Sequence, residues 1–234
     1  MIKKQINQND IFRKEFLELV EDKYSFSISP INRTINKPKS LDKQLMLKNL
    51  KSKIEQIKDC ELKNNATKIV FSDGKYNSPI MIVGEAPGEK EDAIGIPFVG
   101  EAGLLLNKML NAIKLKRENL YITNLVNYRP PNNRKPEPKE IIKYSKYLKE
   151  HISIISPKIL ILMGSVAMEG LLGNKIKISK ERGSWKEIII NNKTYQTIIT
   201  FHPAYLLRLP DQKKYSWEDL KVIKKKIEEL QIKI

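Results

Sequence analysis

Three short blocks of this 234-residue chain place polar and aromatic side chains at or after the ends of apolar runs. The first begins at Gly84 and continues to Gly103, the second contains Asn124, and the third begins at His202. A carboxamide offers both a hydrogen-bond donor and an acceptor, and an imidazole N–H can stabilise negative charge that develops in a reaction. These side chains are therefore the first candidates for binding a polar ligand and acting on it.

The first block has the composition of a ligand-binding loop, Gly-Glu-Ala-Pro-Gly over residues 84–88. Small residues let the backbone approach a ligand, and free N–H groups in such a loop can bind an anion or a carbonyl. It is not a phosphate-binding Walker loop, because the Gly-Lys-Ser/Thr ending is absent. Further on, Phe98 lies between Pro97 and Gly100, where its ring can stack on a flat ligand or belong to the core.

The chain contains two histidines, and their surroundings differ. His202 follows an apolar run and precedes Pro203, which suits a residue at a site. His151 lies in a Lys-rich helical stretch, and we expect it at the surface. Asn124 ends a β-type run, where an Asn can cap a loop or present its amide to a ligand.

Four short apolar runs position these blocks. They are too short for helices and are separated by helical patterns, which favours buried parallel strands in an α/β fold. The blocks fall at the strand ends, where open α/β sheets place their ligand sites. The predicted strands are 80–83, 120–126, 159–163 and 197–201, and the predicted helices are 103–115, 138–155, 165–172 and 217–230.

Residues 1–58 differ from the rest because they are rich in Lys and contain no Gly. Apolar spacing predicts helices over 10–23 and 41–58, joined by a linker over 25–40. We interpret residues 1–58 as a mainly helical N-terminal extension and residues 59–234 as the main domain. The extension could pack on that domain or act as a basic arm, and we favour packing.

The formal net charge is +16, from 43 Lys and Arg against 27 Asp and Glu. This charge suits a polyanionic partner, although an AT-rich genome would also enrich the chain in Lys, Ile and Asn. One Cys excludes an internal disulfide. No apolar run reaches the length of a membrane span, and no signal-peptide pattern is evident. We therefore expect a cytoplasmic protein without a membrane partner.

In this order, the three blocks resemble the motifs of the iron-sulfur (family 4) uracil-DNA glycosylases, over about residues 57–230. The resemblance implies a three-layer α/β fold of the uracil-DNA glycosylase type with a central four-stranded parallel sheet, and it makes 59–234 the catalytic domain. It further implies a monomeric enzyme that flips deoxyuridine out of DNA and hydrolyses its base–sugar bond, which initiates base excision repair. Uracil-containing DNA is then the partner.

The resemblance also implies roles for single residues. Phe98 matches the ring that stacks on uracil, Asn124 the amide that reads its O4 and N3–H edge, and His202 the donor to O2. Glu85 is expected to order water or stabilise the sugar cation, and Glu91 to crowd C5 and reject thymine. The implied catalytic residues are His202, Glu85 and Asn124, and the implied substrate-binding residues are Gly84, Ala86, Pro87, Gly88, Glu91, Phe98 and Asn124.

The third block also resembles a minor-groove loop. Leu206 is expected as the apolar wedge that fills the gap left by a flipped nucleotide, with Leu207 packed inward and Arg208 on a phosphate. An ordinary helix start with buried leucines is the alternative. Arg182 and Gly183 match an Arg-Gly element of the family and are expected to touch DNA or to brace the site.

The family holds a four-iron four-sulfur cluster with four cysteines, whereas this chain has only Cys60. The corresponding positions are Ile57, Cys60, Tyr128 and Tyr144, with the family's spacing kept. Ile and Tyr cannot replace thiolates as cluster ligands. We therefore expect no cluster, no metal and no other cofactor, with the tyrosines and Ile57 filling the space as packing.

Two other interpretations stay open. The first is a homologue that binds uracil-DNA without turnover or traps it covalently. The trapping branch carries a His-bearing basic insertion after the second block, but residues 128–138 contain no His. The second is a basic DNA-binding scaffold on a degenerate enzyme fold, against which the presence of Asn124 and His202 argues.

Overall fold

A six-stranded sheet lies at the centre of the fold. The structure is a computed structural model and describes residues 40–58, 60–173 and 177–233. The order of the strands is β1-β3-β2-β4-β6-β5. The four inner strands run parallel, which confirms the predicted four-stranded parallel centre. The strands are β1 (Asp73–Gly74), β2 (Ile80–Gly84), β3 (Tyr121–Asn124), β4 (Ile159–Met163), β5 (Trp185–Ile190) and β6 (Lys193–Thr200).

Two antiparallel edge strands, β1 and β5, are missing from the sequence prediction. Strand β5 joins β6 through Asn191 and Asn192, both with left-handed backbones (φ of 49° and 60°). Two such residues form the tight turn that matches the twist of a hairpin, so the Asn pair is the signal for this hairpin. Ile189 of β5 is 73% exposed, so the strand does not have the burial pattern of a buried strand although its sequence is apolar there.

Most of the predicted helices are present. Helices α5 and α6 have the predicted bounds, and α4 and α9 begin and end one to four residues earlier than predicted. Among the described residues, no helix is both long and apolar enough to cross a membrane. The helices are α1 (Ser40–Glu55), α2 (Glu61–Asn65), α3 (Glu89–Ile94), α4 (Glu101–Ala112), α5 (Pro138–Ile155), α6 (Ser165–Leu172), α7 (Ile178–Glu181), α8 (Pro203–Arg208) and α9 (Lys213–Glu229), with 3-10 turns at Arg117–Asn119, Pro131–Asn133 and Pro210–Gln212.

Helices cover both faces of the sheet, because β2, β3 and β4 are buried along their whole length. Alternate residues point to opposite faces of a strand. Met81 and Leu160 join an apolar cluster with residues of α1, α5 and α6. Ile80 and Ile159 join a second cluster with residues of α4, α8 and α9. The result is a three-layer α/β arrangement that leaves the strand ends open.

Helix α1 corresponds to the predicted helix 41–58, and its Leu47, Leu50 and Ile54 are buried in the cluster that includes α5. It lies in the same compact unit as the sheet, Pro38–Ile234. The predicted helix 10–23 and nearly all of the predicted linker lie outside the described residues. The division of the chain at residue 58 stays a prediction.

Candidate active site

A cavity of about 520 Å³ opens at the carboxyl ends of the parallel strands. Glu85 follows β2, Asn124 ends β3, Gly164 follows β4 and Phe201 follows β6, and all four line the cavity. The fold therefore brings the three sequence blocks together in one place. The expected site residues in the cavity wall are Glu85, Ala86, Pro87, Gly88, Glu91, Phe98, Asn124, His202 and Arg208.

Asn124 lies opposite Gly84 in the register between β3 and β2. The Asn124 side chain is 3% exposed, and no donor among the described residues reaches its Oδ1 atom. A buried acceptor without a partner costs free energy, so it fits a site where a ligand supplies the missing donor. Gly84 lies directly behind the cavity wall, and a side chain at this position would overlap Asn124 Oδ1 and the Phe98 ring.

Phe98 has a left-handed backbone (φ of 54°) and a ring that is 5% exposed. Its ring lies 5.4 Å from the His202 ring, centroid to centroid, with 27° between the planes. Phe98 therefore belongs both to an apolar cluster and to the cavity wall. Phe98 is thus a core residue that also faces the cavity, and its stacking on a ligand stays a prediction.

Glu91 connects the loop that contains Gly88 with the loop that contains Val99 and Gly100. Its Oε1 atom accepts hydrogen bonds from the backbone N–H groups of Val99 (2.9 Å) and Gly100 (2.8 Å), and its Oε2 atom accepts one from Gly88 (3.2 Å). Both carboxylate oxygens are thus engaged with the backbone. Glu91 lines the cavity, but its contacts are those of a residue that fixes the loops around Phe98.

His202 caps the N-terminus of α8, where its Nδ1 atom accepts a hydrogen bond from the N–H of Ala204 at 3.2 Å. Burial and, to a smaller extent, the charge of Arg208 lower the pKa of His202 to about 4, against the opposing charge of Glu91. The ring is therefore neutral at pH 7. Because Nδ1 is an acceptor, the single proton is on Nε2, which leaves Nε2–H as the donor.

The carboxyl group of Glu85 lines the cavity and has a perturbed protonation equilibrium. Burial raises the pKa of Glu85; the charges of Lys135 and Arg208 lower it, and that of Glu169 raises it. Lys135 and Glu169 form an ion pair of 3.1 Å between the loop before α5 and helix α6. Glu85 is therefore protonated at a higher pH than an exposed glutamate.

Arg134 lines the cavity as well, although its position in the sequence predicts no role there. It donates to both carboxylate oxygens of Glu140, at 2.8 and 2.7 Å, and Glu140 also accepts from the N–H of Glu137 at 2.7 Å. Such a two-pronged ion pair fixes both position and direction. The acidic residues around Pro138 at the start of α5 were the available signal.

The two leucines of α8 have the opposite orientation to the one expected. Leu206 is 1% exposed and belongs to an apolar cluster, whereas Leu207 is 41% exposed. The expectation that Leu207 packs inward is wrong, and a buried Leu206 cannot act as a surface wedge. Leu206 follows His202 by about one helical turn and so shares its inward face, whereas Leu207 is rotated by about 100° from it.

Arg182 and Gly183 lie outside the cavity wall. The Arg182 guanidinium donates to both carboxylate oxygens of Asp219 and to the Tyr215 carbonyl, and it lies 5.3 Å from the ring centroids of Phe201 and Tyr215. Gly183 gives space to Asp219, because a Cβ there would meet Asp219 Oδ1 at 2.5 Å. These contacts suit a residue that braces the site, and contact with DNA stays a prediction.

The expectation that His151 lies at the surface is wrong, since the side chain is 2% exposed. Its Nε2 atom lies 2.7 Å from the Tyr121 hydroxyl, and its ring stacks on Phe71 at 4.6 Å. Burial lowers its pKa to about 3. The apolar face of α5 carries His151 into the core despite the lysines around it.

Three of the four positions that correspond to cluster ligands are buried. The Cys60 Sγ atom lies 3.2 Å from the Tyr144 hydroxyl, and burial raises the pKa of the nearby Tyr128 to about 12. Ile57 packs against the same apolar cluster. One thiol, two phenols and an aliphatic chain do not fit an iron–sulfur cluster, which needs thiolates. Over the described ranges, no group of three or more His, Cys, Asp or Glu side chains could hold a metal ion.

Residues 71–223, which include the sheet and the cavity, match the family model of the Uracil DNA glycosylase superfamily. The Type-4 uracil-DNA glycosylase of Thermotoga maritima is 40% identical over 157 residues, 67% of this chain and 80% of its own. That of Sulfurisphaera tokodaii is 41% identical over 185 residues, 76% and 83% of the two chains. That of Archaeoglobus fulgidus is 37% identical over 174 residues, 73% and 87%. The chain therefore belongs to the type-4 family of the uracil-DNA glycosylase superfamily.

Proposed function

We propose that the protein is a monofunctional uracil-DNA glycosylase, a hydrolase that removes uracil from DNA, leaves an abasic site and so initiates base excision repair. One observation carries this proposal. Three groups converge on one cavity at the strand ends: a carboxamide acceptor on Asn124 that no donor of the described residues reaches, a neutral imidazole on His202 and the ring of Phe98. The type-4 relatives, named for this activity, match the chain over most of its length.

Asn124 supplies the base selectivity. In the bound state its Oδ1 atom accepts from uracil N3–H and its amide N–H donates to O4, which satisfies the acceptor that has no donor among the described residues. Cytosine presents an acceptor at N3 and a donor at its amino group, so the same fixed amide repels it. The Phe98 ring stacks on the flipped base and offsets part of the stacking lost from the duplex.

His202 supplies the stabilisation of the leaving base. The bond between C1′ and N1 breaks with its electron pair going to uracil, and water adds to C1′ with loss of a proton. Negative charge collects on uracil O2, where Nε2–H of His202 donates. One such fixed donor is typically worth about 3 kcal/mol in the transition state.

Glu85 acts on the sugar side of the reaction. As a carboxylate it orders the attacking water and stabilises positive charge on the sugar. Its partial burial strengthens these interactions because the local dielectric is lower than that of water. The group must be ionised to act in this way, which links its raised pKa to the pH dependence of the rate.

The exposed surface beside the cavity contacts the DNA. Arg208 lies in the cavity wall and is exposed, and the neighbouring Leu207 is also exposed. Arg208 holds a phosphate next to the flipped nucleotide, and Leu207, in place of Leu206, fills the gap in the base stack. The net charge of +16 draws the protein to DNA.

No iron–sulfur cluster takes part in this function. The four corresponding positions supply one thiol, and the Cys60 thiol faces the Tyr144 hydroxyl. Packing of Ile57, Tyr128 and Tyr144 takes over the role of a scaffold between α5 and the residues before β1. Every chemical step above uses side chains of the cavity.

The test uses the purified protein and four matched duplexes that carry uracil, cytosine, thymine or hypoxanthine at one position. We expect free uracil and an alkali-labile strand from the uracil duplex, with no strand break before alkali and no reaction at cytosine or thymine. Binding without uracil release would identify a non-catalytic homologue. A covalent protein–DNA product would identify a trapping enzyme.

A further inference from the structure

Arg117 holds the loop that carries the base-stacking ring, although it lies outside the cavity wall. We propose that Arg117 is a positioning residue for Phe98 and thereby sets how tightly the site holds uracil; this rests on the proposed function. The inference comes from a set of hydrogen bonds that join the loop to the edge of the sheet.

The Arg117 guanidinium donates to two successive carbonyls of the Phe98 loop. One terminal nitrogen, Nη1, donates to the Phe98 carbonyl at 2.9 Å, and the other, Nη2, donates to the Pro97 carbonyl at 2.5 Å. The planar guanidinium presents its N–H groups in fixed directions. Two contacts from one plane therefore fix both the height and the tilt of this backbone segment.

Asp73 of β1 fixes the guanidinium in turn. Its Oδ2 atom accepts from Arg117 Nε at 2.8 Å and lies 2.8 Å from Nη2. The Arg117 side chain is 19% exposed, so the ion pair is partly sheltered from solvent. Because β1 pairs with β3, the loop is connected through Asp73 to the strand that ends in Asn124.

The loop needs such support because Phe98 adopts a left-handed backbone, which is unfavourable for a residue with a side chain. Glu91 holds the N–H groups of Val99 and Gly100 on one side, and Arg117 holds the preceding carbonyls on the other. Glu91 ties the loop to α3, and Arg117 ties it to the sheet edge. Without Arg117, the segment before Val99 loses both carbonyl contacts.

The position of this loop decides where the Phe98 ring lies. The ring packs beside Gly84 and stacks on His202, so a shift of the backbone changes the face offered to the base. Arg117 does not line the cavity and cannot contact uracil there. Its effect on uracil must therefore pass through Phe98, which separates it experimentally from a residue that binds substrate.

A double-mutant cycle tests this dependence with Arg117→Ala, Phe98→Ala and the double variant. The readouts are inhibition by free uracil, binding of an abasic duplex and the melting temperature. We expect Phe98→Ala to weaken uracil inhibition by about 5- to 150-fold, the range for one lost base–aromatic stack, and Arg117→Ala by a smaller factor. The double variant should be no weaker than Phe98→Ala alone, because no ring remains to be positioned. Affinity for the abasic duplex should stay unchanged.

Two further variants control for charge and folding. Lys116 is the exposed neighbour, so Lys116→Ala removes the same charge and should leave uracil inhibition unchanged. Arg117→Lys keeps the charge but cannot hold both carbonyls from one plane, and it should fall between wild type and Arg117→Ala. If Arg117→Ala does not fold, the cycle is run with Arg117→Lys.

Two results would overturn the proposal. One is a lower melting temperature with unchanged uracil inhibition, which would make Arg117 a structural residue only. The other is a double variant in which the losses of uracil inhibition seen in Arg117→Ala and Phe98→Ala multiply. That result would mean that Arg117 acts independently of Phe98. Failure of the proposed function is a separate outcome, because it would appear as absence of uracil release by the wild-type protein.

Discussion

Asn124 and Gly84 end two adjacent parallel strands, and the Asn124 Oδ1 atom lies in the space that a side chain at residue 84 would need. The Phe98 ring occupies the other part of that space. The Asn124 amide and the Phe98 ring, to which we assign base reading and base stacking, therefore share one contact, the bare backbone of Gly84. This relationship explains a glycine at the end of a strand in which every other residue has a large apolar side chain.

Gly84→Ala should damage the site more than the fold. The added methyl group must displace the Asn124 amide or the Phe98 ring, and overpacking of this kind costs about 1–3 kcal/mol of stability. The rate of uracil release should fall by more than this loss of stability explains, because the Asn124 amide and the Phe98 ring both move relative to the base. Gly173→Ala is the control: this glycine has a left-handed backbone (φ of 88°), unlike Gly84, so the variant also costs stability, but among the described residues no atom lies within 4 Å of its added Cβ, and excision should be kept. Unchanged excision by Gly84→Ala would contradict the shared contact.

The acid limb of the rate should report Glu85. Burial raises the pKa of Glu85 above the ordinary 4.5, so the active carboxylate is lost at a higher pH than in an exposed glutamate as the pH falls. Glu169→Gln removes a negative charge that raises this pKa, and the limb should move to lower pH. The pH profile of single-turnover excision measures the position of the limb in the wild type and its movement in Glu169→Gln. In Glu85→Gln this limb should vanish, and the loss of rate at low pH should then come only from protonation of His202 at about pH 4. An unaltered limb in that variant would exclude Glu85 as its source.

Leu206→Ala and Leu207→Ala should separate core packing from DNA opening. Leu206 is buried, so its truncation should cost about 2–5 kcal/mol of unfolding free energy. Leu207 is exposed, so its truncation should hardly change the melting temperature. It should instead slow excision from duplex DNA more than from single strands, which have no gap to fill. Equal effects of Leu207→Ala on the two substrates would remove it as the wedge.

The purified protein should be colourless and free of iron, because the positions of three cluster ligands carry Ile57, Tyr128 and Tyr144. Visible absorbance and an iron assay test this directly. Cys60→Ala should keep most of the activity and lose some stability, since it removes a buried contact with Tyr144. Iron in stoichiometric amount would show that a cluster is bound in spite of these residues.

The parts of this site that were predictable from the sequence are those fixed by local pattern. Apolar runs place strands, and the ends of parallel strands meet at one edge of a sheet, so Asn124 and the residues around His202 could be placed together. The orientation of α8 could not, because a six-residue helix accepts either leucine inward until the neighbouring layer packs. His151 was misplaced for a related reason, since its burial depends on Phe71 and Tyr121.

Arg117 illustrates the other limit. Its partners Asp73 and Phe98 lie 44 and 19 positions away in the chain, and a lone Arg before a strand gives no indication of them. The edge strand that carries Asp73 is two residues long and has no apolar pattern. Contacts of this kind arise from the assembled sheet, so they become visible only in the structure.

The single-turnover rate of uracil release by His202→Ala tests the proposed mechanism most directly. Uracil leaves with negative charge on O2, so the Nε2–H donor matters more in the transition state than in the bound ground state. We expect the rate to fall by about two to three orders of magnitude, while affinity for uracil-DNA stays within a few-fold because Arg208 and the net positive charge remain. His151→Gln alters the second histidine, which lies outside the cavity, and should keep the rate of the wild type. A rate near that of the wild type in His202→Ala would contradict the role of His202 and with it the mechanism.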